Sequence, residues 1–357
     1  MGLGLLLIVF AVSLVFVLVS IIKFNLHPFL SLLIGGLIMG ILAGLPLTQV
    51  ADGLAAGFGS TMQGIGILII LGVGLGHLLH ISGCTSQIAA AMLKLTGQKR
   101  AGVAVNLTGY IVSIPVFFDA AFVILVNLVK SLSRKGKIPF VSLVTALSVG
   151  LIVTHAMVIP TPGPIAVAGT MGVNIGWFLL YSIVVSLPAS LVGGVLYGKY
   201  LGGKAEYVDD FANAFDDIEE EEIQESADLP SGALGIFLIF LPIIIILIGT
   251  IASMLLEPGT SAYIFFSFIG NKNIALLIGL LAAFFSLRRY VKDSFNDVVT
   301  EAATQSGIIL AITGAGGAFG AIINLTGIGE KLVGGMAGMT EGAGIAMIVA
   351  AFVISQV

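Results

Sequence analysis

Residues 101–129 read AGVAVNLTGYIVSIPVFFDAAFVILVNLV, an apolar run whose single charge, Asp119, lies past its middle. Basic residues close it on both sides: Lys94, Lys99 and Arg100 before it, Lys130, Arg134, Lys135 and Lys137 after it. Short loops rich in Lys and Arg stay on the cytoplasmic side of a membrane. If both clusters obey that rule, the segment enters and leaves the bilayer on one face, as a re-entrant hairpin over about 101–130. Its central stretch, Ser113-Ile114-Pro115-Val116-Phe117-Phe118-Asp119, suits the deepest point, because proline breaks a helix and the freed backbone is tolerated only against protein or a water-filled cavity. A single crossing would leave one basic cluster outside.

The rest of the chain demands the same solvent. Of 357 residues, 58% are hydrophobic and 47 more are glycine, while charged residues make up 10%, against roughly 25% in soluble proteins. Eleven of the 19 acids fall between Glu206 and Asp228, so the remainder is nearly uncharged. Uncharged apolar stretches of about 20 residues are membrane-spanning helices. That excludes a soluble enzyme, a nucleic-acid binder and a disordered chain, and it predicts an all-α, multi-pass protein of the cytoplasmic membrane whose surroundings are lipid. The lone Cys84 excludes a disulfide framework and a CxxC metal site. No metal or cofactor is expected.

Leu3–Ile22 has no basic residues ahead of it and is read as a retained span. Further spans are predicted at Pro28–Leu45, Gln63–Leu79, Val141–Val158, Ile175–Leu196, Ala233–Leu256, Asn273–Leu287, Ser306–Ile323 and from Gly344 onward. With the hairpin counted as no crossing and the N-terminus outside, 13 of the 15 basic residues fall inside, and only Lys272 and Lys331 fall outside.

An offset of 244 residues aligns Leu32-Leu33-Ile34-Gly35 with Leu276-Leu277-Ile278-Gly279. It also aligns Gly72-x-x-x-Gly76 with Gly316-x-x-x-Gly320, and Ile81-Ser82-Gly83 with Leu325-Thr326-Gly327. This predicts an internal repeat: residues 1–200 as the first copy, 201–231 as an acidic cytoplasmic linker, and 232–357 as the second copy. Five crossings in the first copy make the second start on the opposite face, the inverted architecture of many secondary transporters. The same offset carries Ser113 onto Val357, so counterparts of the hairpin tip would fall beyond the last residue. The chain is therefore expected to be a fragment that does not transport alone. The stripes Gly36-x-x-x-Gly40-x-x-x-Gly44 and Gly72-x-x-x-Gly76 are read as close helix contacts, and Gly314-Ala315-Gly316-Gly317 lacks the strand that a nucleotide loop needs.

Asp119 is the only carboxylate in these apolar segments, and an intramembrane acid is a functional candidate by default. His155 is the only histidine well inside a span, four residues ahead of Ile159-Pro160-Thr161-Pro162-Gly163-Pro164. A buried histidine bonded to a carbonyl and a proton or substrate carrier are equally open readings of it. Three prolines and a glycine in five residues predict a helix broken within about 141–172, resuming near Ala166. The resumed N-terminus is an anion site in form, with Thr161, Thr170 and Asn174 nearby. No Lys or Arg is expected in any span, so an anion would be held by helix ends and hydroxyls. Asp119 and His155 are the proton-coupling candidates; Ser113, Pro115, Phe118, Asp119, Thr161, Gly163, Thr170, Thr313 and Asn324 are the substrate-binding candidates. Trp177, Tyr181, Tyr197 and Tyr200 are read as interfacial aromatics. A sodium-coupled carrier stays open as a variant. An intramembrane enzyme lacks an HExxH or GxSxG pattern, and a channel lacks a polar stripe.

Pro115-Val116-Phe117-Phe118-Asp119-Ala120-Ala121-Phe122, His155 with Pro162-Gly163-Pro164, and Gly314-x-Gly316-Gly317-Ala318-Phe319-Gly320 together resemble the gluconate permease family, proton symporters of sugar acids within the ion transporter superfamily. The resemblance covers most of the chain. It implies re-entrant hairpins, proton symport of a small organic anion, and a homodimer. Ile159 and Thr161 depart from the family's histidine-containing proline motif, so the choice among gluconate, glycerate, serine and other sugar acids stays open. The resemblance also implies a chain longer by roughly ninety residues.

Overall fold

The computed structural model describes residues 1–97, 100–115, 118–159, 161, 163–164, 167–168, 172–204 and 229–331. Among these every regular element is a helix. In chain order they are α1 (Leu3–Ile22), α2 (Pro28–Leu42), α3 (Leu47–Ile81), α4 (Cys84–Thr96), α5 (Ala101–Val112), α6 (Phe118–Gly136) and α7 (Phe140–Met157). Then come α8 (Ile175–Gly202), α9 (Gly232–Leu255), α10 (Ser261–Ile269), α11 (Lys272–Leu287) and α12 (Phe295–Leu325). Seven are long and apolar enough to cross a membrane: α1, α3, α7, α8, α9, α12, and α11 with the 3₁₀ turn that extends it to Tyr290. The protein is thus an all-α, multi-pass membrane protein.

Local chemistry sets the helix ends. Pro28 opens α2, with the His27 Nδ1 accepting from the Phe29 N–H at 3.3 Å. Gly44 closes it with φ +78, which glycine adopts without penalty. Gly44 is thus a helix stop, whereas its stripe partners are contacts. A Cβ on Gly36 would lie 2.8 Å from Leu54, and one on Gly40 would lie 2.7 Å from Val50. Asn174, Ser231 and Thr260 cap α8, α9 and α10 with their side chains. Ser294 and Asp297 form a reciprocal capping pair at α12.

Two predicted spans are much shorter than the helices that contain them. α3 begins 16 residues before Gln63 and runs 35 residues, about 52 Å at 1.5 Å per residue; α12 begins 11 residues before Ser306 and runs 31. Each outlasts a hydrocarbon core of about 30 Å. Consequently Asp52 lies within a spanning helix, exposed near its start, and Asp119 is not the only carboxylate on such helices. α4 and α10, which hydropathy alone does not signal, are additional.

The chain divides into two compact units, residues 1–63 with those from 309 onward, and 64–308. In the first, Val9, Met39, Val50, Phe319 and Ile322 make a buried core. There α2 approaches α1 so closely that a Cβ on Gly35 would lie 2.5 Å from Val17. In the second, α11 approaches α9 in the same way, Gly279 lying against Pro242. Gly35 and Gly279 are 244 residues apart. So are the starts of α2 and α11, the ends of α3 and α12, and the left-handed glycines Gly83 and Gly327, with φ +78 and +68. The acidic segment, over 205–228, and residues 332–357 lie outside the described residues.

Candidate functional site

The run at 101–129 folds as two helices joined by a turn. α5 has 12 residues, about 18 Å, too short to cross a bilayer. It ends at Ser113, the chain turns through Ile114 and Pro115, and α6 begins at Phe118. Residues 116–117 lie outside the described residues.

A buried polar ladder fixes the first arm. Asn106 is fully buried; its Nδ2 donates to the Ala146 carbonyl of α7 at 2.8 Å and to the Ser190 carbonyl of α8 at 3.2 Å, while its Oδ1 accepts from Ser190 Oγ at 3.0 Å. One turn on, Tyr110 Oη and Ser186 Oγ share a hydrogen bond of 2.6 Å. One turn further, Ser113 Oγ donates to the Leu151 carbonyl at 2.9 Å. Residues 106, 110 and 113 share one helix face, so α5 is held between α7 and α8 along its length. Glycine makes the contact possible, since Gly150 and Gly194 lie directly against Asn106 and any Cβ there would collide with it. Leu196 ends a π-helical stretch of α8 that begins at Leu191, directly after Ser190. Such single-turn irregularities cluster at functional sites.

α7 stops at Met157, and Val158 is extended with φ −104 and ψ 129. Thr161 is buried, its Oγ1 donating to the Val158 carbonyl at 2.6 Å. Gly163, Pro164, Val167 and Ala168 have helical backbone. His155 sits in the last turn of α7, half-buried. Leu151 lies one turn before it, so the Ser113 bond brings the start of the hairpin turn to within one helical turn of His155.

Most of the predicted site residues lie among the described residues. Ser113, Pro115, Phe118, His155, Thr161 and Gly163 all belong to the second compact unit, on or beside the two interruptions. Phe118 is half-buried and stacks on Phe122 with ring centroids 5.7 Å apart. Asp119 is the second residue of α6; its side chain, like Thr170, lies outside the described residues. Thr313 and the exposed Asn324 belong to the first unit, on α12. Asn174 is spent as the α8 cap, accepting from the Trp177 N–H at 3.1 Å. Trp177 and Tyr181 stack near one end of α8, and Tyr197 and Tyr200 near the other, all exposed as interfacial rings should be. Beside the break, Met157, Pro164, Trp177, Phe178, Tyr181 and Ser182 line part of a groove of about 500 Å³. Its walls are almost wholly apolar, unsuited to a polyhydroxylated acid.

Three participants escape a reading of the sequence. Asn106 and Tyr110 are isolated polar residues in an apolar run, and their partners lie 40 to 84 residues away. Lys272 reads as an external loop residue. It is instead the first residue of α11, partly buried, with its Nζ donating to the Gly64 carbonyl of α3 at 2.7 Å. The expectation that no Lys lies in a span is therefore corrected. Among the described residues no group of three or more His, Cys, Asp or Glu could hold a metal ion.

Comparison with known proteins places this geometry. The family model described as GntP family permease matches residues 5–357. A Haemophilus influenzae protein named "Uncharacterized permease" is 37% identical over 89% of this chain and 67% of its own length. The "Low-affinity gluconate transporter" of Escherichia coli is 31% identical, over 96% of this chain and 75% of its own. The "Gluconate permease" of Bacillus subtilis is 31% identical, over 98% and 79%.

Proposed function

The chain belongs to the GntP family of permeases, which makes it a transporter rather than an enzyme, and we propose that it moves gluconate or a closely related sugar acid across the cytoplasmic membrane by proton symport. The observation that carries the reading is the Ser113–Leu151 hydrogen bond. It joins the end of α5, at the first interruption, to α7 about two turns before the second, within one compact unit, with an acid just beyond the first and a histidine just before the second. Interrupted helices supply unsatisfied N–H and C=O groups for a substrate near the membrane midplane, and intramembrane carboxylates and histidines act as proton relays. Asp119 and His155 take the proton in this reading. Ser113, Pro115, Phe118, Thr161, Gly163 and Thr170 are its sugar-acid contacts, and Thr313 and Asn324 are separate candidates on α12.

The moving scaffold is a pair of inverted copies, 1–200 and 232–357, joined by the acidic segment. Helix starts, helix ends and left-handed glycines recurring at one offset support this. A second chain of the same kind completes a homodimer.

The test is uptake of labelled gluconate into proteoliposomes with an imposed pH gradient, reconstituted with this chain together with a complementing chain. Inward proton drive should concentrate the label, and Asp119→Asn, which keeps shape and removes the titrating group, should abolish accumulation while leaving exchange of internal for external gluconate. Accumulation driven by a sodium gradient and indifferent to pH would overturn proton coupling.

A further inference from the structure

α9, α10 and α11 form an antiparallel set with a readable register. Ser253 Oγ and Ser267 Oγ share a hydrogen bond of 3.1 Å, Gly249 meets Gly270, and Pro242 meets Gly279. At that register the whole of α9, Gly232–Leu255, lies opposite residues 265–288. α9 is 24 residues, about 36 Å, long enough to cross the hydrocarbon core. Its antiparallel partner is therefore one span in two pieces, α10 and α11, interrupted at Gly270–Asn271. The interruption falls five to six residues, about 8–9 Å, inside the end of α9. Lys272 follows it directly, so its ammonium is carried into the membrane rather than left in a loop.

An ammonium at such a depth is costly unless paired, wet or functional. Lys272 makes one hydrogen bond among the described residues, to the Gly64 carbonyl, and no described carboxylate pairs with it. Two of its three N–H donors remain for another acceptor. No neighbouring helix or side chain closes on Gly64 itself, where a Cβ would stand in open space. The next residue adds a second unmet need: Asn273 Oδ1 is buried without a hydrogen-bond partner. A donor and an acceptor on adjacent residues at one break are what a hydroxy acid requires, the carboxylate for the ammonium and a hydroxyl for the amide oxygen.

We propose that Lys272 is an anion-recognition residue of this permease, binding the carboxylate of a small hydroxy acid, with Asn273 Oδ1 accepting from one of its hydroxyls. The assignment rests on the sugar-acid reading above and names a positive charge set inside the end of a span, where it could select an acid over a neutral polyol.

Binding of labelled gluconate, glycerate, lactate and succinate to the purified protein in detergent tests it without requiring transport. A charge-assisted hydrogen bond is worth about 1.5–3 kcal/mol, so Lys272→Gln should weaken binding of the preferred acid roughly tenfold or more. Lys272→Cys guards against a folding defect. Alkylation of its thiolate by 2-bromoethylamine, with loss of bromide, rebuilds a lysine-length ammonium and should restore the affinity in the same preparation. Cys84 does not compete, being fully buried with its thiol pushed up to about 11 by desolvation. Unlabelled glucitol should fail to displace the acid. An affinity within about twofold of wild type in Lys272→Gln or in the unmodified cysteine variant would overturn the proposal. Binding of another acid in place of gluconate would overturn the gluconate reading alone, and the same variants would then decide Lys272 on that acid. A wild-type chain that binds none of the four would overturn both.

Discussion

Asn106 shows how one amide can organise three helices. Each of its three hydrogen bonds reaches another element, and its site is dry, so truncation removes the bonds, strands the Ser190 hydroxyl and opens a void. Asn106→Ala is expected to destabilise the protein by about 2–4 kcal/mol, read as a lowered unfolding temperature in detergent. Tyr110→Phe, which loses only the bond to Ser186, should cost about 1 kcal/mol. Equal unfolding temperatures for wild type and Asn106→Ala would mean that the ladder does not hold α5 in place. The sequence makes Ser113 and Thr161 visible as polar residues at breaks, and it cannot reveal that each hydroxyl is already donated to a backbone carbonyl. A hydroxyl in an apolar run looks the same whether it faces a ligand or a carbonyl 38 residues away.

At the scale of elements, what proves legible is the apolar, all-helical character of the chain and the helix ends that depend on proline. The hairpin turn at Ser113–Pro115 and the end of α7 before Pro160 both follow from the chain's inability to continue a helix there. Helix length is not legible in the same way. Thr48, Gln49 and Asp52 lower the hydropathy of the first turns of α3, as Asp297, Glu301 and Gln305 do for α12, although none of them breaks a helix. The α10–α11 break is missed for a related reason: Gly270-Asn271-Lys272 looks like an ordinary polar loop until the packing against α9 shows its depth. The hairpin makes its own prediction. If α5 and α6 are the two arms of a re-entrant hairpin, Lys94 and Lys137 flank a segment that returns to its own side. Single cysteines at these positions in intact cells should be blocked alike by an impermeant maleimide only once the cytoplasmic face is opened. Labelling of one from outside and the other from inside would replace the hairpin by a crossing.

For the whole molecule, the offset of 244 predicts more than resemblance between halves, because an odd number of crossings between equivalent points requires equivalent residues to face opposite solvents. Thr48 and Lys292 are such a pair. Each is exposed, and each stands near the start of a long helix, Thr48 just inside α3 and Lys292 just ahead of α12. Arg288, Arg289 and Lys292 form a basic cluster that the loop-charge rule keeps cytoplasmic, which leaves the start of α3 outside. A repeat in the same orientation would put both on one side. Single cysteines replacing Thr48 and Lys292 should therefore react from opposite faces: Thr48→Cys with an impermeant maleimide added to intact cells, Lys292→Cys only in inside-out vesicles. Cys84, being buried, contributes no background to either reaction. Reaction of both from the same face would make the matching glycines and helix ends a coincidence of apolar sequence, and the inverted scaffold on which the transport reading stands would have to be given up.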